Sequence, residues 1–447
     1  MKNRLLFILH LFLITGICLN CSESENLPTE LSGEEVAANI RAELESKLDV
    51  WYPRVIDMEY GGYLSNFTHD WQQAETQEKM IVTQSRHIWT LSKLAARYPD
   101  QNYAELASHG FEFLKEKMWD DEYGGFFQTV SQQGEPVPDQ QGEFQKTLYG
   151  NAFALYGMAA YYRLSGDPDV LELAQKLFHW LDVHSHDKVY GGYFQPLARD
   201  GTPDKTGYSK DYNSGIHILE ALTEFYEAWS DETVRERLEE MFIIVRDTMV
   251  TDHGYLRLYF QDDWTHLSYR DSTEAVVIEN LNYDHVTPGH DIETAFLLLE
   301  AAHALGLGDD ENTHRIAKNM TDHTLATGWD KETGGLYNIA YYFNGDDHLT
   351  ILDESKNWWA QAEGLNTMLI MADLYPDDEM DYYQKFVMQW DYIITYLSDP
   401  VYGGWYNYGL DKTPENTHSR KSHIWKGNYH TVRALLGVLE ILEANEI

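Results

Sequence analysis

The chain has 447 residues and a formal net charge of −40, from 33 Lys and Arg against 73 Asp and Glu. A field of that sign repels nucleic acid and other polyanions, so no nucleic-acid partner is expected. Its 13 Trp and 31 Tyr supply core and leave aromatic faces free to stack on the apolar C–H faces of sugar rings.

In chain order, the first element is an export segment. Lys2 and Arg4 precede an apolar stretch over 5–19, too short and too early for a spanning helix. The stretch ends at Cys18-Leu-Asn-Cys21, ahead of the acidic Ser22-Glu-Ser-Glu-Asn26. This resembles a bacterial lipoprotein signal over residues 1–21, with Cys21 as the lipidated residue. The expected setting is the cell envelope, on either the periplasmic or the surface face of an outer membrane. The lipid would then be the only membrane contact; cleavage without lipidation would give a periplasmic or secreted chain. Both cysteines lie in this segment, so the remainder has no disulfide, no cysteine nucleophile and no Cys-rich zinc site. Residues 22–33 read as a polar tether and 34–447 as one domain.

The domain is organised by a turn that recurs six times. The copies are Asp57-Met-Glu-Tyr-Gly-Gly-Tyr63, Asp121-Glu-Tyr-Gly-Gly-Phe126, Asp187-Lys-Val-Tyr-Gly-Gly-Tyr193, a worn Asp252-His-Gly-Tyr255, Asp330-Lys-Glu-Thr-Gly-Gly-Leu336 and Asp399-Pro-Val-Tyr-Gly-Gly-Trp405. Their spacing of roughly 60–80 residues fits one helical hairpin plus loops. Helices that are apolar on most faces are expected over 86–96, 148–164, 215–229, 292–305, 358–374 and 428–442, as an inner ring. A helix of the same periodicity is expected over 34–50, and more amphipathic helices over 104–117, 169–182, 231–249, 311–326 and 379–397 fit an outer ring. The predicted fold is all-α: an (α/α)6 barrel of six helical hairpins, with short β-strands such as 192–195 and 255–260 in the loops at one mouth. No Walker loop, no Gly-x-Gly-x-x-Gly and no His-Glu-x-x-His occurs, so nucleotide and zincin readings lack local support.

Candidate chemistry sits where polar residues open apolar helices. Arg86, in Thr83-Gln-Ser-Arg86, is costly to bury without a carboxylate or an oxygen-rich ligand. His217 and Glu220 share a helix face at i,i+3, and so do His290 and Glu293, where the glutamate can hold the imidazole tautomer. Trp358, Trp359 and Glu363 lie together, and Trp425 precedes His430. Three histidines could also bind a metal, but hairpins spread evenly around a ring separate them, and no metal or cofactor is expected. Two imidazoles on opposite walls suit removal of a proton from one face of a carbon and its return to the other. The alternatives are a glycoside hydrolase using two carboxylates supplied by Glu220, Glu293, Glu363 and the Asp-rich loops, or a sugar-binding lipoprotein without catalysis.

The ordered set Gln84-Ser-Arg86, Tyr149-Gly-Asn151-Ala-Phe153, His217-Ile-Leu-Glu220, Gly289-His290-Asp-Ile-Glu293, Trp358-Trp359-Ala-Gln-Ala-Glu363 and Trp425-Lys-Gly-Asn-Tyr-His430 resembles the N-acylglucosamine 2-epimerase family. The likeness runs from about residue 35 to about 445, and its nearest group is the cellobiose 2-epimerases. It implies cofactor-free inversion at C2 of the reducing-end sugar of a β-1,4-linked disaccharide, cellobiose or mannobiose, through a cis-enediolate. His217 would assist ring opening, and His290 and His430 would exchange the C2 proton. Arg86 would stabilise the oxyanion and Glu293 would orient His290. Tyr149, Asn151, Trp358, Trp359, Glu363 and Trp425 would contact sugar. Related members act on monosaccharides, as N-acylglucosamine epimerases or mannose isomerases. The assembly implied is a monomer or homodimer whose partner is a small sugar.

Overall fold

The computed structural model describes residues 33–343 and 348–445. Cys21, the signal segment and most of the tether lie outside these residues. The helices are α1 (Gly33–Val55), α2 (Ile81–Arg97), α3 (Tyr103–Phe113), α4 (Leu148–Ser165), α5 (Pro168–His184), α6 (Tyr212–Ala228) and α7 (Glu232–Ile244), followed by the short α8 (Glu274–Glu279). Then come α9 (Pro288–Ala304), α10 (Glu311–Thr327), α11 (Trp358–Leu374), α12 (Tyr382–Tyr392) and α13 (Tyr429–Asn445).

Helices α2, α4, α6, α9, α11 and α13 each pack on the next, and α13 returns to α2, which closes an inner ring. Helices α3, α5, α7, α10 and α12 each pack on the inner helix that precedes them, and α1 packs on α13. The result is the expected (α/α)6 barrel. Inner helices bury residues on nearly every face: every residue from Gly150 to Tyr161 in α4 is buried. That follows from their apolar composition, because each is packed between two ring neighbours and an outer helix. Thr147 and Asp211 cap α4 and α6 by accepting from Gly150 N and Ser214 N.

The expected strands shrink to pairs of residues. Lys79–Met80 pairs with Thr129–Val130, Lys146–Thr147 with Pro196–Leu197, and Lys210–Asp211 with Tyr259–Phe260, all antiparallel. Each pair joins the residues just before one inner helix to the loop of the following hairpin. A fourth pair, Ile339–Tyr341 with Thr350–Asp353, lies in the loop before α11. All of them crowd the mouth where the inner helices begin.

The glycine turns lock to that mouth by ion pairs that sequence reading missed. In five turns both glycines adopt positive φ, for example 87° at Gly61 and 65° at Gly62, which favours glycine over any other residue. The turn carboxylate then receives a buried lysine from just ahead of an inner helix. Lys79 reaches Asp57 at 2.8 Å, Lys146 reaches Asp120 at 3.0 Å, Lys210 reaches Asp187 at 2.8 Å and Lys356 reaches Asp330 at 2.9 Å; Lys421 does the same for Asp399. Asp120, not the expected Asp121, is the working carboxylate of the second turn, because it lies four residues before the first glycine as Asp57 and Asp187 do. The worn fourth copy has Thr251 and Val286 at the corresponding positions. There Arg270 takes over, donating to the Tyr255 hydroxyl and to the Asp284 carbonyl, both at 2.6 Å.

Burial alone would raise the pKa of Asp57, Asp120, Asp187, Asp330 and Asp399, but the lysines, with Arg199 at Asp120 and turn N–H groups, outweigh it and hold all five below the usual range. A carboxyl whose folded pKa is depressed contributes stability that is present above its unfolded pKa and lost as pH falls through the folded one. Thermal melts at stepped pH should therefore show stability collapsing below about pH 4. A melting temperature that stays flat down to pH 2.5, an acidity of about 1.4 pH units below the unfolded carboxyl value, would contradict this role.

Candidate active site

The N-terminal halves of the inner helices converge on a cavity of about 320 Å³. Of the expected residues, Arg86, Tyr149, His217, His290, Glu293, Trp358, Trp359, Trp425 and His430 line it. Arg86 enters from deeper than expected, since α2 begins at Ile81. The polar run Thr83-Gln-Ser looked like a helix start, but Gln84 is inside the helix and pairs with both backbone groups of Tyr63, each at 2.8 Å.

Arg86 is buried and makes no ion pair among the described residues. Its guanidinium lies 4.1 Å from the centre of the Phe153 ring and 5.0 Å from that of Tyr429. Nη2 donates to the Tyr149 hydroxyl at 3.2 Å, and Nε has no partner. Among the described residues, no carboxylate is placed to make Arg86 purely structural. A buried cation whose protein partners are a hydroxyl and two ring faces is arranged to meet an oxygen-rich or anionic ligand.

Two histidines carry glutamates. His217 Nδ1 lies 2.8 Å from Glu220, and His430 Nδ1 lies 2.5 Å from Glu363. His290 differs: its Nδ1 is buried without a partner, and Glu293 turns away to accept from Arg433. The expected orienting of His290 by Glu293 is therefore corrected. A spacing of i,i+3 permits contact, but the guanidinium offers the carboxylate more than a neutral ring does. Trp359 packs against both His290 and His430, 4.5 Å from the ring centre of the first and 5.7 Å from that of the second.

Arg433, given no role from sequence, is the hub below this floor. It bonds Glu220 and Glu293, and reaches Glu363 at 2.7 Å and the Tyr429 hydroxyl at 2.6 Å. Burial opposes ionisation of Glu220, yet Arg433 and the His217 ring outweigh it and hold its pKa at about 2. Glu363 moves the other way: burial and the charge of Glu293 raise it well above the usual range against the pull of Arg433. Burial, joined by nearby positive charge, lowers the pKa of His290 and His430 well below the usual value. Both rings are thus biased towards the neutral form, and Glu363 towards its protonated form.

Two expected sugar contacts are reassigned. Asn151 is fully buried, accepts from Phe126 N at 2.8 Å and donates to the Thr147 carbonyl at 2.9 Å, so it anchors a glycine turn rather than a ligand. Gln361 does the same for Leu336 N at 2.7 Å. Glu363 is fully buried behind His430 and lies outside the cavity lining. Conversely, Asn213, Asn357, Asn407, Tyr408 and His423 line the cavity without having been singled out. The Oδ1 atoms of the three asparagines are buried and unpartnered, as acceptors waiting for hydroxyl donors would be. Asn407 and Tyr408 follow the last glycine turn, where no periodicity marks them.

Among the described residues, the carboxylate pair needed for glycoside hydrolysis is not presented. Glu220, Glu293 and Glu363 gather around one guanidinium instead of facing each other across the sugar. Among the described residues, the one group of three potential metal ligands within 4.8 Å is Glu293, Glu363 and His430. Arg433 already bridges its two carboxylates, so a second cation there would be repelled. The three histidines do not form a ligand cage.

A family model described as N-acylglucosamine 2-epimerase matches residues 62–434. The chain belongs to the N-acylglucosamine 2-epimerase family. It is 26% identical over 404 residues to a cellobiose 2-epimerase of Bacteroides fragilis, covering 88% of this chain and 95% of that one. The structure of cellobiose 2-epimerase from Spirochaeta thermophila DSM 6192 superposes with a TM-score of 0.80 at 28% identity, over 93% of this chain and 98% of the other. A D-mannose isomerase of Marinomonas mediterranea is 24% identical over 409 residues, covering 90% of this chain and 97% of its own. This member of the family is a sugar epimerase or isomerase of the cellobiose 2-epimerase-like kind.

Proposed function

We propose that the enzyme inverts C2 of the reducing-end sugar of a β-1,4-linked disaccharide, cellobiose or mannobiose. The observation that carries the reading is the unpaired, buried Arg86 guanidinium in a cavity also lined by two neutral imidazoles. Opening of the ring, assisted by the His217–Glu220 pair, exposes a C1 aldehyde and acidifies the C2 proton. His290 takes that proton, and the C2–H electron pair moves through C1 onto the aldehyde oxygen. The resulting cis-enediolate bears its negative charge against Arg86, a contact stronger in the transition state than in the ground state.

Rotation about C2–C3 presents the other face. His430 delivers a proton from Nε2 to C2 while Glu363 passes its own proton to Nδ1, so no bare imidazolate forms. The carboxylate left behind is met by Arg433, and after product leaves, loss of the His290 proton to solvent and uptake of one by Glu363 restore the starting state. For the opposite epimer the roles reverse, as a reversible reaction requires. Trp425, half exposed at the rim, offers a face for the second sugar. The Trp425→Ala variant should raise KM for cellobiose about tenfold, equivalent to ~1.4 kcal/mol, and leave KM for a monosaccharide unchanged. Equal effects on both would remove Trp425 from the second sugar position.

A second outcome starts from the same intermediate: a proton returned to C1 gives a ketose. The similarity to a D-mannose isomerase keeps it in view. Product analysis by NMR after incubation with cellobiose, mannobiose, mannose and N-acetylglucosamine separates the cases. A C2-epimeric disaccharide supports the proposal, ketose moves the enzyme to the isomerases, and free glucose from cellobiose sinks both. The proposed setting is the cell envelope, with a lipid on Cys21; its support is the basic, then apolar, then cysteine-bearing N-terminus.

A further inference from the structure

A second cavity, of about 480 Å³, opens on the barrel axis at the opposite mouth. All six inner helices contribute to it from their C-terminal portions, beginning with Trp89 on α2 and ending with Glu440 on α13. Glu220 and Arg433 form its floor and separate it from the catalytic cavity.

One part of this cavity is apolar. Trp89 and Tyr156 stack with ring centres 5.3 Å apart and planes at 12°, and Phe296 and Leu299 continue the surface. The other part is acidic, and its charges are unequally met. Glu220 is committed to Arg433, Tyr429 and His217. Glu224 accepts from Trp89 Nε1, Lys93 and Arg163. Glu300 and Glu440 have no ion pair or hydrogen bond among the described residues.

Two further observations point the same way. Asn366 is only 5% exposed, lines the cavity, and its Oδ1 has no partner. The inner helices also direct their C-terminal ends to this mouth, and those ends carry partial negative charge. Glu300 meets water on the cavity side and protein on the others, an enclosure that lifts its pKa to about 7.

We propose that this mouth binds a small organic cation. An ammonium group would be held by Glu300, Glu440 and Asn366 Oδ1, with a hydrocarbon or aromatic body against Trp89, Tyr156 and Phe296. A bare metal ion fits less well, because no three ligating side chains here lie close enough to share one among the described residues. The site is independent of the sugar reading: none of Glu300, Glu440 and Asn366 lines the catalytic cavity.

The test is calorimetric titration of the folded chain with 2-phenylethylammonium, with 2-phenylethanol as its neutral match. One saturable site for the amine, none for the alcohol, is expected, with affinity unchanged by excess cellobiose. A Glu300→Gln/Glu440→Gln double variant should bind the amine at least ~10-fold more weakly, on the scale of lost charge-assisted contacts. Both residues present surface to water and lack ion pairs among the described residues, and the enclosure of Glu300 disfavours its charge, so the variant should melt no lower than the wild type. No saturation at millimolar amine, equal binding of the alcohol, full affinity in the double variant, or displacement by cellobiose would each overturn the proposal.

Discussion

Replacing Arg433 by methionine should damage stability and turnover together. The substitution leaves Glu220, Glu293 and Glu363 converging in the barrel centre with no cation between them. Removing one partner of a buried ion pair costs ~3–5 kcal/mol, and here three carboxylates share the lost partner. The folded pKa of Glu220, which Arg433 holds down, would rise above its unfolded value. Protonation would then favour the folded state, so the variant should regain stability as pH falls from 8 to 5. Wild type, whose Glu220 is held near 2, should gain less over the same range. Turnover should drop about 100-fold, because Glu363 and Glu220 lose the anchor that aims His430 and His217, and small misplacements of this kind have that scale. A variant that melts with wild type at pH 8 would show that Arg433 is not the hub its contacts describe.

His430→Asn should abolish most turnover while sparing binding. General acid–base catalysis contributes ~10²–10⁴-fold, and kcat should fall within that range with KM for cellobiose little changed. Glu363→Gln should give a smaller loss, since the ring remains but its proton reservoir does not. The pH profile offers a separate check. Burial, with neighbouring positive charge, depresses the pKa of His290, so the free base persists to lower pH than usual. The acid limb of kcat/KM should therefore lie below 6.5. A His430→Asn enzyme with near-normal kcat would remove this residue from the proton path.

Much of this arrangement could be read from the sequence, and what could not has physical causes. The glycine turns gave the six hairpins because paired positive-φ residues leave few alternatives. The three histidines and Arg86 were visible as polar residues on apolar helices. Partnerships were less visible. His217–Glu220 is local, so its i,i+3 spacing was enough. His430–Glu363 joins α13 to α11 across 67 residues, and no pattern along the chain announces it. The same spacing argument misassigned Glu293, because Arg433 lay 140 residues away. The turn lysines follow their aspartates by 22, 26, 23, 26 and 22 residues, a regularity present in the sequence but hidden among ordinary surface charges. Asn151 failed for a further reason: a motif tells which residues recur, not whether they hold the ligand or the loop beside it.

Proton exchange at C2 is measured directly by deuterium wash-in. The enzyme is incubated with cellobiose in deuterated water and followed by NMR. Deuterium should appear at C2 of the reducing-end sugar, with the C2 epimer accumulating and the glycosidic bond intact. Epimer that forms without deuterium at C2, or no change at C2 in cellobiose or mannobiose, would contradict it.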